Sequence, residues 1–250
     1  MVAKFLSIKT KKEIAIIKEG IRKIEKAFVV VKKILRKSVI KNRKIFYKKK
    51  ILTSEFFKGE IENLFLTEGI VNEKGIIISS GEQTAIPHHP GKGLIKPYKP
   101  IVCDIFPKGR VTGYFGDITR TFIKGKPSFE LRKMYKAVMK AQKEGIKIIK
   151  PGIKAREIYK TCANSLLNSG YDVGDKGFIH GAGHGIGLKI HEEPFLKQKS
   201  SAKLIAGNVI TVEPGLYYPK IGGIRIEDVV CVTKNGCEIL SSYSKEWVIK

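Results

Sequence analysis

The sequence predicts an α+β fold in which helices pack on a mainly antiparallel sheet. Two observations support this fold class. Residues 10–125 and 128–245 share one layout, because helical patterns come first in each part and strand patterns follow. Two strand patterns of the first part are separated only by a turn, as in a hairpin of antiparallel strands. No clear sequence repeat accompanies this layout, and we expect two similar halves around one sheet.

Helical patterns open the first part. Apolar side chains recur at every third or fourth position along residues 11–37, with Lys and Glu between them, which predicts an amphipathic helix. Thr53 or Ser54 would cap a second, shorter helix. Residues 32–50 form the densest basic run of the chain. This run is predicted to be a solvated helix end and loop, with an anionic docking patch as the alternative.

Three strands are predicted next. The first is Gly75-Ile-Ile-Ile-Ser, and the other two each carry one aspartate among apolar residues. Asp104 lies in the strand predicted over residues 101–106, and Asp117 lies in the strand predicted over residues 114–123. A hairpin between these two strands would bring both aspartates together.

The second part repeats the order of helices and strands. Ser128 is a suitable N-cap for its first helix. Pro214 and Gly215 are expected to form a turn, and the strand after this turn carries Arg225 and Glu227. The predicted helices and strands of this part cover residues 128–146, 155–168, 209–213, 223–232 and 237–240.

The net charge of +25, from 48 basic and 23 acidic residues, would suit a protein that binds nucleic acid. The excess is mostly lysine, however, and it is spread along the whole chain instead of forming one patch. Nucleic acid is therefore not expected as the main partner, and nucleic-acid binding is kept as an alternative function.

Several features bear on the cellular location. No run of about 18 apolar residues is present, so we expect no membrane span. The N-terminal segment MVAKFLSIKTKKE lacks the apolar core of a signal peptide. Cys103, Cys162, Cys231 and Cys237 form no C-x-x-C pair, which favours a chain whose thiols stay reduced. Together these features predict a cytoplasmic protein.

Three of the five histidines lie in one glycine-rich stretch, HGAGHGIGLKIHEEP, at residues 180–194. The other two, His88 and His89, are adjacent. The glycines do not follow G-x-G-x-x-G, and His184 and His191 are seven residues apart, which excludes a dinucleotide loop and an H-E-x-x-H motif. Glycine at every second position instead predicts a strand or bend that another backbone or a ligand approaches closely. Histidine suits metal binding and proton transfer.

Four carboxylates, Asp104, Asp117, Glu213 and Glu227, lie in apolar strand-like runs, where a lone buried carboxylate is costly. Each could have its own Arg or Lys partner, but four of them beside a histidine cluster fit a site for divalent metals better. Oxygen-rich ligands with one imidazole favour Mn, Fe, Co or Zn over Ca. Two ions are expected, since one dication would leave the cluster strongly negative, and two ions can polarise a carbonyl together.

Five residues and their flanking motifs carry a family resemblance. They are Asp104, Asp117 in YFGDITRTF, His184 in HGAGHGIG, Glu213 in VEPGLYYP and Glu227 in GIRIEDVV. In this order they resemble the metallopeptidases of the pita-bread fold, a family that contains methionine aminopeptidases, Xaa-Pro aminopeptidases and Xaa-Pro dipeptidases. The resemblance covers nearly the whole chain. It implies that residues 1–250 form one pita-bread catalytic domain with a curved sheet.

The flanking residues resemble the Xaa-Pro branch of this family. Thr119-Arg120-Thr121 is similar to the D-x-T-R-T of that branch. His180 belongs to its H-G-x-x-H pattern, and Arg225 matches its R-I-E-D. A methionine aminopeptidase would more usually show a sequence like Q-F-E-H at this glutamate.

The resemblance implies two divalent metal ions, with manganese expected and Co, Zn or Fe as alternatives. Asp104 would bind one ion, and His184 and Glu213 would bind the second. Asp117 and Glu227 would bridge both ions. A bridging hydroxide would attack the scissile carbonyl, and Glu213 would shuttle its proton.

Further residues receive supporting roles from the resemblance. His191 and His88, the first histidine of its pair, would contact the substrate or stabilise the tetrahedral intermediate. His180 would help to form the pocket that receives proline. Arg225 would support the bridging carboxylates, and Tyr217 is the tyrosine of the family's EPG-x-Y pattern.

Two departures from the family pattern are visible. Asp104 and Asp117 are 13 residues apart, which is longer than usual in the family and fits a longer turn at residues 106–112. The N-terminal domain that many Xaa-Pro peptidases carry is not expected here. Oligomeric state and substrate length are therefore left open.

The resemblance predicts a metal-dependent exopeptidase that cleaves the N-terminal Xaa-Pro bond, with peptides carrying proline at the second position as partners. This bond is a tertiary amide without an N–H, and its ring nitrogen has to be protonated as it departs. Another aminopeptidase specificity, including methionine removal, is one alternative. A non-catalytic pita-bread protein that binds nucleic acid or protein is the other.

Overall fold

The computed structural model describes residues 7–250. Residues 1–6, which belong to the N-terminal segment analysed for a signal peptide, lie outside the described residues. Within 7–250 there are four α-helices, and none of them is long and apolar enough to cross a membrane. They are α1 (Lys11–Lys37), α2 (Ser54–Glu68), α3 (Phe129–Lys147) and α4 (Ala155–Asn168).

The helices begin close to the predicted positions. At α1 the Thr10 hydroxyl oxygen accepts from the Glu13 N–H while the Glu13 carboxylate accepts from the Thr10 N–H, which forms a capping box. Thr53 caps α2 and Ser128 caps α3 through their side-chain oxygens. The apolar stripe of α1 is buried, as its periodicity predicts.

Fourteen short strands occur among residues 7–250. They are β1 (Val39–Lys41), β2 (Lys44–Tyr47), β3 (Lys50–Ile51), β4 (Ile70–Val71), β5 (Ile76–Ser80), β6 (Ile101–Ile105), β7 (Lys108–Gly109), β8 (Ile118–Lys124), β9 (Val209–Val212), β10 (Gly215–Tyr218), β11 (Gly222–Arg225), β12 (Asp228–Val232), β13 (Cys237–Ile239) and β14 (Val248–Ile249).

The largest sheet has the strand order β14-β8-β6-β5. β6 and β8 form the predicted antiparallel hairpin, with Asp104 opposite Thr119. In the C-terminal half the strand order is β13-β12-β9, and β10 pairs with β11 as a separate ribbon. Among the paired strands described, only β14 with β8 is parallel. The predicted α+β fold with mainly antiparallel strands is therefore confirmed.

Buried apolar residues form two clusters that follow the two halves. The first mainly joins α1 and α2 to β5, β6 and β8, and the second mainly joins α3 and α4 to β9 through β12. The halves are connected where the Glu227 N–H donates to Thr119 O at 3.1 Å. The predicted metal site lies around this hydrogen bond.

Residues 39–51 form a small antiparallel sheet, β1-β2-β3, where the sequence predicted a solvated loop. The helix end predicted within this run is present, since α1 ends at Lys37. The loop prediction was wrong because the apolar run at 45–47 forms a strand in which Ile45 is fully buried while the lysines around it stay exposed. Positive φ angles at Asn42–Arg43 and at Lys48–Lys49 let the chain reverse twice.

The C-terminal half differs from the prediction at two places. A turn was expected at Pro214–Gly215, but Gly215 is already the first residue of β10. The single strand predicted over residues 223–232 is divided into β11 and β12 by Ile226 and Glu227. The reason is a change of partner, since β11 pairs with β10 whereas β12 pairs with β9 and β13.

Candidate metal centre and active site

A cleft of about 900 Å³ brings together residues from both halves of the chain. Five of its lining residues are the predicted metal ligands, and four are predicted substrate or supporting residues. The five are Asp104, Asp117, His184, Glu213 and Glu227, and the four are His88, His180, His191 and Arg225. Tyr217 does not line the cleft, but it contacts two residues that do.

The two aspartates come from the β6–β8 hairpin. Asp104 is on β6, and Asp117 directly precedes β8, so the strand predicted from residue 114 begins only at Ile118. The extra length between them is taken up by β7, which pairs with β4, and by a turn in which the Gly109 N–H donates to Tyr114 O at 2.9 Å. Both aspartates line the cleft despite the longer connection.

The glycine-rich stretch around His184 runs between two neighbouring backbones. On one side the Thr211 N–H donates to His184 O at 2.8 Å, and on the other Gly185 and Glu192 exchange hydrogen bonds of 2.9 and 3.0 Å. A Cβ on Gly183 would lie 2.0 Å from Thr211 O, and one on Gly185 would lie 2.4 Å from a backbone oxygen. Glycine is therefore needed at 183 and 185 because the backbones approach so closely.

His184 presents one ring nitrogen to the carboxylates of the cleft. Its Nδ1 lies 3.0 Å from Gly185 O, and because a carbonyl can only accept, Nδ1 carries the proton. Nε2 lies 3.4 Å from Glu213 Oε1 and 3.7 Å from Asp117 Oδ2. Burial lowers the pKa of His184 to about 4, so the ring is neutral and the Nε2 lone pair can bind a cation.

The two glutamates lie at strand boundaries. Glu213 directly follows β9, and Glu227 lies in the break between β11 and β12. The Glu213 N–H donates to Ala182 O at 2.9 Å, and the Glu227 N–H donates to Thr119 O. The Thr119 hydroxyl also donates to Glu227 Oε2 at 2.8 Å. These bonds hold both glutamates against the segments that carry the other predicted ligands.

The carboxylates have more negative charge than their surroundings neutralise. Asp104 Oδ1, Asp117 Oδ1 and Glu227 Oε1 are buried and have no hydrogen-bond partner. Burial raises the pKa of Asp117 and of Glu227, and neighbouring carboxylates raise both further. Burial raises the pKa of Glu213 to about 7. Ligand atoms of Asp117, His184 and Glu227 lie within 4.8 Å of one another. These residues fit a site for divalent cations.

Arg225 is 2% exposed and lies beside this cluster. Its Nη2 donates to Asp104 Oδ2 at 2.6 Å, and its Nη1 donates to the Tyr217 hydroxyl at 2.8 Å. Nε donates to Thr119 Oγ1 at 3.2 Å, and that hydroxyl donates to Glu227. The resemblance implied support of the bridging carboxylates. In the structure the direct carboxylate partner is Asp104, and the connection to Glu227 passes through Thr119.

A hydrogen-bond chain connects Arg225 to His180. Burial lowers the pKa of His180 to about 3, so its ring is neutral. Nδ1 lies 2.7 Å from Gly181 O and therefore carries the ring proton, and Nε2 accepts from the Tyr217 hydroxyl at 2.8 Å. Because both nitrogens are engaged, His180 offers ring surface to the cleft and no free donor.

His191 and His88 are the more exposed histidines of the cleft. The His191 ring centre lies 4.3 Å from that of His184, with the ring planes at 88°. His89 is not among the lining residues, and its Nδ1 accepts from the Gly91 N–H at 3.0 Å. The structure thus brings His88, and not its neighbour, to the cleft.

Part of the cleft wall was missed by the sequence analysis. It consists of two lysines and three apolar residues, Lys74, Lys197, Phe106, Ile190 and Phe195. They come from loops and strand ends, and no shared spacing marks them. Conversely, Arg120 of the T-R-T motif does not line the cleft. Its Nη2 donates to Asp228 Oδ1 at 2.7 Å, so it holds the start of β12.

Comparison with known sequences identifies a family whose pattern the chain matches and individual proteins to which it is similar. The family described as Metallopeptidase family M24 matches residues 15–234 of the chain. The chain is similar to the Xaa-Pro dipeptidase of Pyrococcus furiosus, with 40% identity over 171 residues. This match covers 68% of the chain and 48% of the relative, so the chain spans about half the length of that curated relative.

Comparison with solved structures finds similar folds in two named peptidases. The prolidase from Pyrococcus furiosus matches with a TM-score of 0.86 at 33% identity, over 97% of this chain and 67% of that chain. The X-Pro aminopeptidase from Thermotoga maritima matches with a TM-score of 0.85 at 30% identity, over 99% of this chain and 65% of that chain.

Proposed function

The chain belongs to metallopeptidase family M24 and has the pita-bread fold of its structural neighbours, and on this basis we propose that it is a metal-dependent exopeptidase that hydrolyses the N-terminal Xaa-Pro bond of peptides. The observation that carries this proposal is the cleft itself. The five proposed ligands, four carboxylates and the imidazole of His184, all line it, and three buried carboxylate oxygens there have no hydrogen-bond partner. The names of the relatives, which are Xaa-Pro dipeptidase, prolidase and X-Pro aminopeptidase, support the proline specificity.

We propose two divalent ions in the cleft, with manganese expected and Co, Zn or Fe as alternatives. Asp104 would hold one ion, His184 and Glu213 would hold the other, and Asp117 and Glu227 would contact both. When bound, the ions would polarise the scissile carbonyl and lower the pKa of water. The charge of the cleft supports two ions, because one buried arginine cannot balance four carboxylates.

Glu213 is the residue that we propose to carry the proton. Its side chain is 18% exposed, compared with 11% for Asp104 and 7% for Asp117. It is therefore the carboxylate of these three that a substrate in the cleft reaches most easily. His191 and His88 would donate hydrogen bonds to the substrate carbonyl from the exposed wall.

The proline ring would lie against apolar surface. His180 has no free ring nitrogen and stands edge-on to Phe178, with ring centres 5.4 Å apart. Ile190 and Phe195 add apolar wall to the cleft. Such a pocket suits a residue whose peptide nitrogen has no hydrogen to donate.

We also propose that residues 1–250 act as a single catalytic domain on peptides. All proposed ligands and substrate contacts come from residues 88–227, within one cleft. A cytoplasmic location stays a prediction, and so does the choice of metal.

The test compares a matched peptide pair, Xaa-Pro-Xaa and Met-Ala-Xaa, together with the dipeptide Xaa-Pro. Metal-stripped protein is assayed with Mn, Co or Zn added back, and His184→Ala serves as the control without a complete ligand set. We expect metal-dependent cleavage of the proline peptides only. Cleavage of the dipeptide or of the longer peptide would then assign dipeptidase or aminopeptidase activity.

Two results would contradict the proposal. Cleavage of Met-Ala-Xaa alone would keep the metal site but show a different aminopeptidase specificity. Absence of cleavage with every metal, in protein that is folded by circular dichroism, would favour a binding protein without catalysis. Binding through the basic surface would then weaken steeply with salt.

A further inference from the structure

Gln142 is a polar residue on the buried face of α3. It is 1% exposed and lies one turn beyond Val138 on the apolar stripe of this helix. A buried amide without partners would be costly, but Gln142 Nε2 donates to Val212 O at 3.1 Å and to Ile226 O at 3.2 Å. Because both partners are carbonyls, the amide has to present its nitrogen to them.

Both carbonyls belong to peptide units that lead into proposed metal ligands. Val212 directly precedes Glu213, and Ile226 directly precedes Glu227. One side-chain amide therefore joins the two backbone segments that carry the glutamates. Neither Gln142 nor any other residue of α3 lines the cleft, so the amide acts on the glutamates only through their backbone.

The other edge of each peptide unit is held as well. The Glu213 N–H donates to Ala182 O, and the Glu227 N–H donates to Thr119 O. Ala182 and Thr119 are each two residues from another proposed ligand. Each peptide unit is thus fixed at its carbonyl by Gln142 and at its N–H by a ligand-bearing segment.

The sheet cannot supply the bond to Ile226. In the β9–β12 ladder Asp228 lies opposite Val212, and continuing this register by two residues places Ile226 opposite Pro214. Proline has no N–H to donate. The Gln142 amide provides the donor that the ladder lacks at this point.

We propose that Gln142 is a positioning residue of the metal centre, whose amide fixes the separation of Glu213 and Glu227 and thereby sets the affinity of the cleft for divalent cations. Four carboxylates close together repel one another. Strand ends that carry two of them would relax apart unless they were held. The inference rests on the proposed function for the identity of the ligands, but not for the peptide that is cleaved.

The experiment measures metal binding in variants that remove the amide. Gln142→Met and Gln142→Leu fill the buried position but donate no hydrogen bond. Val138→Ala, one turn away and fully buried, is the control for a general loss of packing in α3. Metal-free proteins are titrated with Mn²⁺ and Co²⁺ by calorimetry, the absorption spectrum of bound Co²⁺ is recorded, and thermal unfolding is followed in EDTA.

We expect both Gln142 variants to bind the ions about 10–100-fold more weakly, the range found when groups that orient metal ligands are removed. The Co²⁺ spectrum should change, and excess metal should restore part of kcat. Val138→Ala should bind metal as the wild type does, although its unfolding temperature falls. Unchanged affinity in both Gln142 variants would overturn the proposal. Equal weakening in Val138→Ala, or failure of both Gln142 variants to fold where Val138→Ala folds, would also overturn it.

Direct metal binding separates this inference from the proposed function. If the wild type binds Mn²⁺ or Co²⁺ but cleaves no peptide, the proposed function is wrong and the comparison of Gln142 variants still decides the inference. If the wild type binds neither ion, both are wrong.

Discussion

Arg225 Nη2 donates to Asp104 Oδ2 at 2.6 Å, across 121 positions of sequence. The second oxygen of the same carboxylate, Oδ1, is buried and has no hydrogen-bond partner. One oxygen is therefore held by the guanidinium, and the other has no protein partner to compete with a metal ion bound in the cleft that Asp104 lines. The arginine fixes the direction of Asp104 and supplies positive charge to an otherwise anionic site.

Arg225→Lys should lower the affinity for Mn²⁺ about 10–100-fold. Lysine keeps the charge, but it has no rigid fork with which to reach Asp104, Tyr217 and Thr119 together. Metal-free protein is titrated by calorimetry. Arg156→Lys, at an arginine whose side chain is 35% exposed, should bind like the wild type. Equal affinities in all three proteins would refute this role for Arg225.

Asp117→Asn and His184→Ala should each abolish peptide hydrolysis while the protein stays folded. Asp117→Asn removes one of several like charges that are buried together, so its metal-free form should unfold at a higher temperature than the metal-free wild type. Metal should then raise the unfolding temperature of the wild type more than that of either variant. Thermal unfolding with Mn²⁺ or EDTA checks this, and near-normal hydrolysis in either variant would show that the ligand assignment is wrong.

Gly183→Ala should destabilise the protein by about 2–4 kcal/mol. The residue has a φ of +154°, and a Cβ would lie 2.0 Å from Thr211 O. Gly59→Ala is the matched control, because nothing lies within 4 Å of a Cβ there and the residue is within α2. It should stabilise by about 0.5–1 kcal/mol. Denaturant unfolding of both variants measures the difference, and a neutral Gly183→Ala would contradict the close approach of the two backbones.

Lys9→Met should lower the free energy of unfolding by about 3–5 kcal/mol. The Lys9 side chain is 2% exposed and forms an ion pair with Glu192, the neighbour of His191 in the cleft. The variant leaves a nearly buried carboxylate without its partner, and KM should rise because the loop that carries His191 loses its anchor. Denaturant unfolding and steady-state kinetics measure the two effects.

Two comparisons test the cause. Adding Glu192→Gln to Lys9→Met should recover most of the lost stability, since the uncompensated charge is gone. Lys18→Met breaks an exposed pair with Glu238, in which the side chains are 37% and 51% exposed, and should cost less than about 1 kcal/mol. Similar losses of unfolding free energy at Lys9 and Lys18 would mean that the Lys9–Glu192 pair stabilises the protein no more than an exposed pair does.

The helices were predictable because their signals are local. Caps such as Thr53 and Ser128 satisfy the first N–H groups of a helix within three residues, and each apolar stripe repeats within one turn. The sheet around Ile45 was not predictable in the same way. Its strands are only 3, 4 and 2 residues long, and its few apolar residues stand between runs of basic residues. The break at Glu227 was missed because a change of strand partner depends on which strands lie alongside, and the adjacent acidic residues Glu227 and Asp228 do not by themselves mark it.

By itself the sequence determined the α+β fold, the helices and the types of residue that a metal centre needs, because these depend on periodicity and on side-chain chemistry. It also named the family through its motifs. Only the tertiary structure decided that Arg225 holds Asp104, that His180 has no free donor, and that Gln142 bridges the carbonyls before the two glutamates. Each of these depends on hydrogen bonds between groups that the fold brings together, and no spacing along the chain records where such groups meet.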